Sequence, residues 1–189
     1  LGGICLTADS FLRVRLDGIN IGHNFPSGAT QDRRVWLEVI AYDASDNVVF
    51  SSGIVPDGMD PEDLGDSQLF GLWDRTFKDV AKTQPSHFFW DVEAIESNLL
   101  LPTITLDPTD PAFDHSRTAE YFVPGIAASI DRVEARLLFR PLPYVMLDDL
   151  ISSGHLDARF RMIPTLTSKG ATSTWRRSTA APVNGCNPW

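Results

Sequence analysis

Histidine and cysteine are scarce in this chain of 189 residues, and the few present are scattered. The four histidines, His23, His87, His115 and His155, form no His-x-x-x-His pair, so spacing points to no zinc site. Surplus basic charge is absent too. Sixteen Lys and Arg stand against 25 Asp and Glu, a net charge of −9. That excludes a nucleic-acid partner, which selects for cationic surface, and a basic patch for anionic lipid. No run of about 18 apolar residues occurs, so no helical membrane span is expected. Gly-x-Ser-x-Gly, the phosphate loop and the dinucleotide fingerprint are all missing, and neither cysteine has a histidine nearby in sequence. No enzyme is expected.

The length suits one substantial domain spanning residues 1–189, with its core between about residues 11 and 176. Leu1 is not an initiator methionine, so the expectation is a chain that begins after processing or partway through a longer one. The two cysteines, Cys5 and Cys186, lie near opposite ends. Chain ends of compact domains often lie close together, and a Cys5–Cys186 bridge is the expected arrangement. The alternative is two separate thiols, each buried or joined to another chain. The bridge implies a periplasmic or extracellular location, because disulfides persist in oxidising compartments.

Strands dominate the pattern. Leu12, Val14 and Leu16 alternate with Arg13, Arg15 and Asp17, as in a half-buried strand. Residues 35–42 carry Val35, Leu37, Val39 and Ala41 on one face and Trp36, Ile40 and Tyr42 around Glu38 on the other, which predicts a central strand. The polar stretch 43–47 then turns into Val48-Val49-Phe50 as a hairpin partner. Residues 69–77, 87–92 and 121–123 read as further strands. Residues 132–140 alternate cleanly, with Val133, Ala135, Leu137 and Phe139 inward and Arg132, Glu134, Arg136 and Arg140 outward. After Pro143 the period becomes helical over 144–152, with Gly154 placed to cap the helix. A last strand is expected near 172–176. Short strands, Pro/Gly loops and one short C-terminal helix predict an all-β, immunoglobulin-like β-sandwich.

Two kinds of loop invite chemistry. The first is Gly22-His23-Asn24-Phe25-Pro26-Ser27-Gly28, a histidine in a tight loop just before the central strand. Gly22 permits close approach of a bulky partner, and Pro26 fixes the loop's exit. Either the imidazole is a ligand, or it bonds its own backbone and stiffens the turn. The second kind is acidic: Asp57, Asp60, Glu62, Asp63 and Asp66, and then Asp107, Asp110 and Asp114. These offer oxygen ligands for calcium, although neither stretch follows an EF-hand, and clustered acids commonly form a solvated loop. His87 heads an aromatic run, His87-Phe88-Phe89-Trp90. Such a run is expected to be a buried strand with its histidine at one end. His115 and His155 are expected to be solvated.

The Gly-His-Asn-Phe-Pro-Ser-Gly loop resembles one found in the haem-free C-terminal β-sandwich region of multihaem c-type cytochromes (the cytochrome c-552/c-554-like family). The likeness extends to Trp36-Leu37-Glu38-Val39 with its Asp43 hairpin, Phe50-Ser51-Ser52-Gly53, His87-Phe88-Phe89-Trp90, Ala135-Arg136-Leu137 leading to Arg140-Pro141, and residues 147–154. It covers most of residues 11–165. The resemblance implies that His23 is an axial ligand to a haem iron, with Phe25 near the porphyrin and His87 at a haem edge or as a second ligand. This sequence departs from the family in having no Cys-x-x-Cys-His. It therefore has no usual signature for covalent haem attachment, and any haem c must be carried by a partner chain. Two functions compete: an accessory subunit of a multihaem cytochrome electron-transfer complex, and a structural or adhesive extracellular sandwich that binds protein or glycan without haem contact.

Overall fold

The computed structural model describes residues 1–19, 21–179 and Cys186. In chain order these form β1 (Gly3–Leu6), β2 (Phe11–Asp17), β3 (Arg34–Tyr42), β4 (Val48–Ser52), β5 (Asp74–Phe77), β6 (Ala94–Ser97), β7 (Ser116–Phe122), β8 (Arg132–Arg140), α1 (Tyr144–Ser152) and β9 (Leu166–Arg176). One sheet has the order β1-β2-β7 and faces a second, β4-β3-β8-β9, while β5 and β6 pair separately. This is the A-B-E against C′-C-F-G arrangement of an immunoglobulin-like sandwich, with the β5–β6 hairpin inserted between the fifth sandwich strand and its predecessor.

Period-two alternation builds the interface between the sheets. Leu12, Val14 and Leu16 of β2 are buried, and Leu12 and Val14 sit opposite Tyr121 and Ala119 of β7. On the other sheet Val35, Leu37, Val39 and Ala41 of β3 face Phe139, Leu137, Ala135 and Val133 of β8 in register. These side chains form one cluster, with Phe139 packed at its margin. The expected core is therefore the observed one. Burying each such side chain contributes about 1.5–3 kcal/mol.

The free edge of β3 is covered in two pieces. β4 pairs with Val39–Tyr42, and the segment around Gly71 then takes over, with Leu37 N donating to Phe70 O at 3.0 Å and Leu72 N to Val35 O at 2.7 Å. Gly53 sits where one piece hands over to the other. Its φ is +73°, and a Cβ there would lie 2.1 Å from the Leu37 carbonyl oxygen, so only glycine fits. The expected strand over residues 69–77 is thus two structures, an edge bridge to β3 and then β5.

The outer face of β3 and β8 is not wholly solvated. Trp36, Trp73 and Leu138 make a second small core, and the Trp36 indole donates to Gly53 O at 3.0 Å. Arg140, expected to point outward, is fully buried there. Its guanidinium lies 5.3 Å from the Trp36 ring centroid and 4.5 Å from that of Tyr144, and donates to Met59 O and Thr165 Oγ1. A charge tolerates such burial only when paired and hydrogen-bonded. Here Asp60 completes the set, its Oδ1 3.6 Å from Arg140 Nη1.

Helix α1 follows its predicted limits. Asp60 supplies its start from a distance, Oδ1 accepting from Tyr144 N at 2.8 Å and Oδ2 from Val145 N at 2.9 Å. Gly154 terminates it at φ +76°, its N–H donating to Ile151 O at 3.0 Å. Cys5 on β1 and Cys186 are joined as a disulfide, with Cα atoms 5.0 Å apart.

Candidate functional site

The His23 loop is fastened at both ends and open in the middle. Phe25 and Leu100 exchange backbone hydrogen bonds at 2.8 and 2.9 Å, Pro26 is buried, and Thr30 Oγ1 donates to Asp74. Phe25 is half-buried and packs on the main core, so its ring anchors the loop and shows outward only in part. Between these fixings Gly22, His23 and Asn24 are exposed.

The His23 ring has one recorded bond. Nδ1 lies 3.1 Å from the backbone oxygen of Asn24. A carbonyl oxygen only accepts, so Nδ1 carries the hydrogen in the neutral ring, and Nε2 presents its lone pair outward. That is the tautomer a metal requires of an imidazole, with the second nitrogen oriented by a backbone carbonyl. The ring bonds its own backbone, as one of the two sequence alternatives expects, and His23 is exposed.

The aromatic run departs from expectation. Residues 89–91 form a single 3-10 turn, and Phe89 and Trp90 are 74% and 67% exposed. Phe88 stacks on Trp90 at 4.8 Å between centroids, and Phe89 meets Trp90 edge-on at 5.2 Å. The run is an aromatic ledge that follows the Phe77–Pro85 bridge, turns as a 3-10 helix and pairs with none of the described strands. His87 is half-buried at its base, its Nε2 2.5 Å from Asp149 Oδ2 on α1. It also lines a cavity of about 400 Å³ together with Gln31, Arg34, Asp74, Phe77 and Val145. In the His23 loop, burial pushes the Asp32 carboxyl above its ordinary range.

In the first acidic stretch Asp60, Glu62 and Asp66 go to separate partners. Asp60 caps α1, Glu62 pairs with Arg34 at 2.5 Å, and Asp66 accepts from Ser52 Oγ, Gly53 N and Gln68 N. In the later stretch Asp107, Asp110 and Asp114 each close their own local turn. Among the described residues no three His, Cys, Asp or Glu side chains converge on a metal position. His155 is exposed, as expected. His115 is half-buried, its Nδ1 2.7 Å from Phe113 O. The signal that sequence reasoning missed is the distribution of cations around the His23 loop. Arg34 is buried and paired, while its neighbour Arg33 is not.

An all-β sandwich with an outward imidazole on a fastened loop is the class of protein that fold and site define. No family model matches the sequence, and no curated protein matches it. Among solved structures, a penta-haem cytochrome c552 from Thermochromatium tepidum matches with a TM-score of 0.52 and 17% sequence identity. The match covers 92% of this chain and 38% of that one, so the chain spans well under half of the cytochrome's length. At that identity the likeness is one of fold alone. Among the described residues no helix is long and apolar enough to cross a membrane.

Proposed function

We propose that this chain is an accessory β-sandwich of a multihaem c-type cytochrome electron-transfer assembly, and that His23 is an axial ligand to a haem carried by a partner chain. The observation that carries the reading is the setting of His23: exposed, with Nδ1 held by the Asn24 carbonyl and Nε2 without a partner among the described residues. The fold shared with a penta-haem cytochrome supports it. The residues present suit one axial position and no covalent attachment, since the chain supplies an imidazole and lacks Cys-x-x-Cys-His. The haem supplies the electron transfer. This chain's part is to hold an imidazole in one tautomer, to exclude water with the Phe88, Phe89 and Trp90 ledge, and to let His87 line the same approach. It binds and does not catalyse. The Cys5–Cys186 disulfide supports a periplasmic or extracellular location.

Phe89 and Trp90 also favour a second reading, a sandwich that docks protein or glycan through aromatic contacts alone. Replacement of His23 separates the two. In the assembled complex His23→Ala converts one haem from six-coordinate low-spin to five-coordinate or water-ligated and shifts its potential, while His23→Met keeps six-coordination and raises it. The isolated chain stays folded in both. An unchanged visible spectrum and unchanged potentials after His23→Ala would refute the ligand role and leave the docking reading.

A further inference from the structure

Arg33 lies in the same loop as His23, and its guanidinium rests on Gly28. A Cβ built on Gly28 would stand 3.1 Å from Arg33 Nη2 and 3.5 Å from Cζ, and Gly28 has φ +78°. The glycine therefore does two things: it takes the left-handed turn, and it leaves the space in which the guanidinium sits. Among the described residues this guanidinium has no ion-pair partner and no hydrogen-bond acceptor.

That vacancy contrasts with what surrounds it. Arg34, the next residue, is buried, pairs with Glu62, and donates to the carbonyls of Gln31 and Arg33. Asp32, on the other side, accepts from the Gln31 side-chain amide. So the preceding carboxylate is not paired with Arg33. The chain carries 25 acids against 16 bases, yet Arg33 is half-buried with its positive charge unanswered.

We propose that Arg33 is a carboxylate receptor, and that it receives a propionate of the haem whose iron meets His23. The inference rests on the haem reading above. Guanidinium and carboxylate match in planar, two-pronged geometry, and a charge-assisted bond of this kind is among the stronger ones available at a protein surface. An iron porphyrin bearing two propionates offers a nitrogen-seeking metal and an anionic edge on one rigid plate. The loop between His23 and Arg33 offers an imidazole and a cation on one rigid scaffold. Gly28 keeps the cation against the backbone, so less side-chain entropy is lost when the carboxylate arrives.

The test uses the whole chain and two probes, iron protoporphyrin IX and its dimethyl ester, titrated in the same detergent and followed by the visible spectrum. Wild type should bind the diacid about tenfold more tightly than the ester. Arg33→Gln should remove that preference by weakening the diacid alone, and Arg33→Lys should restore part of it. Circular dichroism of Arg33→Gln should match wild type, since the side chain holds no internal partner. If His23→Ala abolishes binding of both probes but Arg33→Gln leaves the diacid preference intact, the haem reading stands and the Arg33 proposal is overturned. If neither probe gives a His23-dependent spectrum, both fall together.

Discussion

Replacing Asp60 with alanine should destabilise this protein far more than an ordinary loop substitution. Asp60 is 4% exposed and its two oxygens accept from the first two N–H groups of α1. It is also the carboxylate nearest Arg140, a fully buried cation whose Nε has no partner. Removing Asp60 takes away the helix cap, worth about 1 kcal/mol, and leaves a buried guanidinium uncompensated. Breaking one side of a buried ion pair costs about 3–5 kcal/mol. Asp60→Asn keeps the shape and one acceptor oxygen but loses the charge, and should cost about 2 kcal/mol. Urea unfolding of both variants and of Arg140→Met gives the values. In the Asp60→Ala, Arg140→Met double variant the two losses should be well short of additive, because the orphaned charge has gone. An Asp60→Ala loss below about 1 kcal/mol, or simple additivity, would refute the reasoning. Calcium should leave the midpoint unchanged. A calcium-dependent rise in wild type that vanishes in Asp60→Ala would make Asp60 a metal ligand and not a cap.

Cys5→Ala with Cys186→Ala should lower stability by about 5 kcal/mol at most by chain entropy, from a sequence separation of 181. The thermal midpoint of the oxidised and mutant chains checks this. Gly53→Ala should destabilise by about 2 kcal/mol or more, through both the positive φ and the clash with the Leu37 carbonyl, read from the same urea curves. Asp32 has its carboxyl raised above the ordinary 3.8, chiefly by burial. The folded state therefore holds that proton more tightly than the unfolded one. Its ionisation costs stability as pH rises through the ordinary value to the raised one, and the full cost is present above it. Asp32→Asn should thus stabilise at pH 7, and the gain should disappear below about pH 3.8.

The sandwich was legible where a period repeats long enough to be counted. β2, β3 and β8 run seven to nine residues with alternating apolar positions, and α1 is bounded by Pro143 and Gly154. β1 and β6 have four residues each, too few for alternation to register, and neither was expected as a strand. Arg140 was misplaced because alternation assigns a face without saying what covers that face. The cover comes from Met59, Asp60 and Tyr144, which sequence distance hides. The same blindness affected the acids: Asp60 and Asp66 look like loose ligands until the fold brings backbone N–H groups to them. The aromatic ledge fails differently. Phe88, Phe89 and Trp90 have core composition, and only the lack of a pairing strand leaves two of them outside. At the site, the loop glycines and proline singled out His23 without deciding whether its ring is exposed, and the unpartnered state of Arg33 depends on where Asp32 and Glu62 turn.

The disulfide has a mechanical meaning. Cys5 and Cys186 hold the two extremities of the fold 5.0 Å apart between Cα atoms. A pull applied outside these two residues passes along the covalent bond and bypasses the 181-residue span between them. While oxidised, the only part of the sheet that such a pull loads at its N-terminal side is the short pairing of residues 2–4 to β2, and the chain enclosed by the bridge, the His23 loop included, is spared. Once the bond is reduced, the same force must run through the hydrogen bonds that join β1 to β2. The geometry around His23 would then depend on tension, and a force-extension record would show release of the 181-residue span in the reduced chain only.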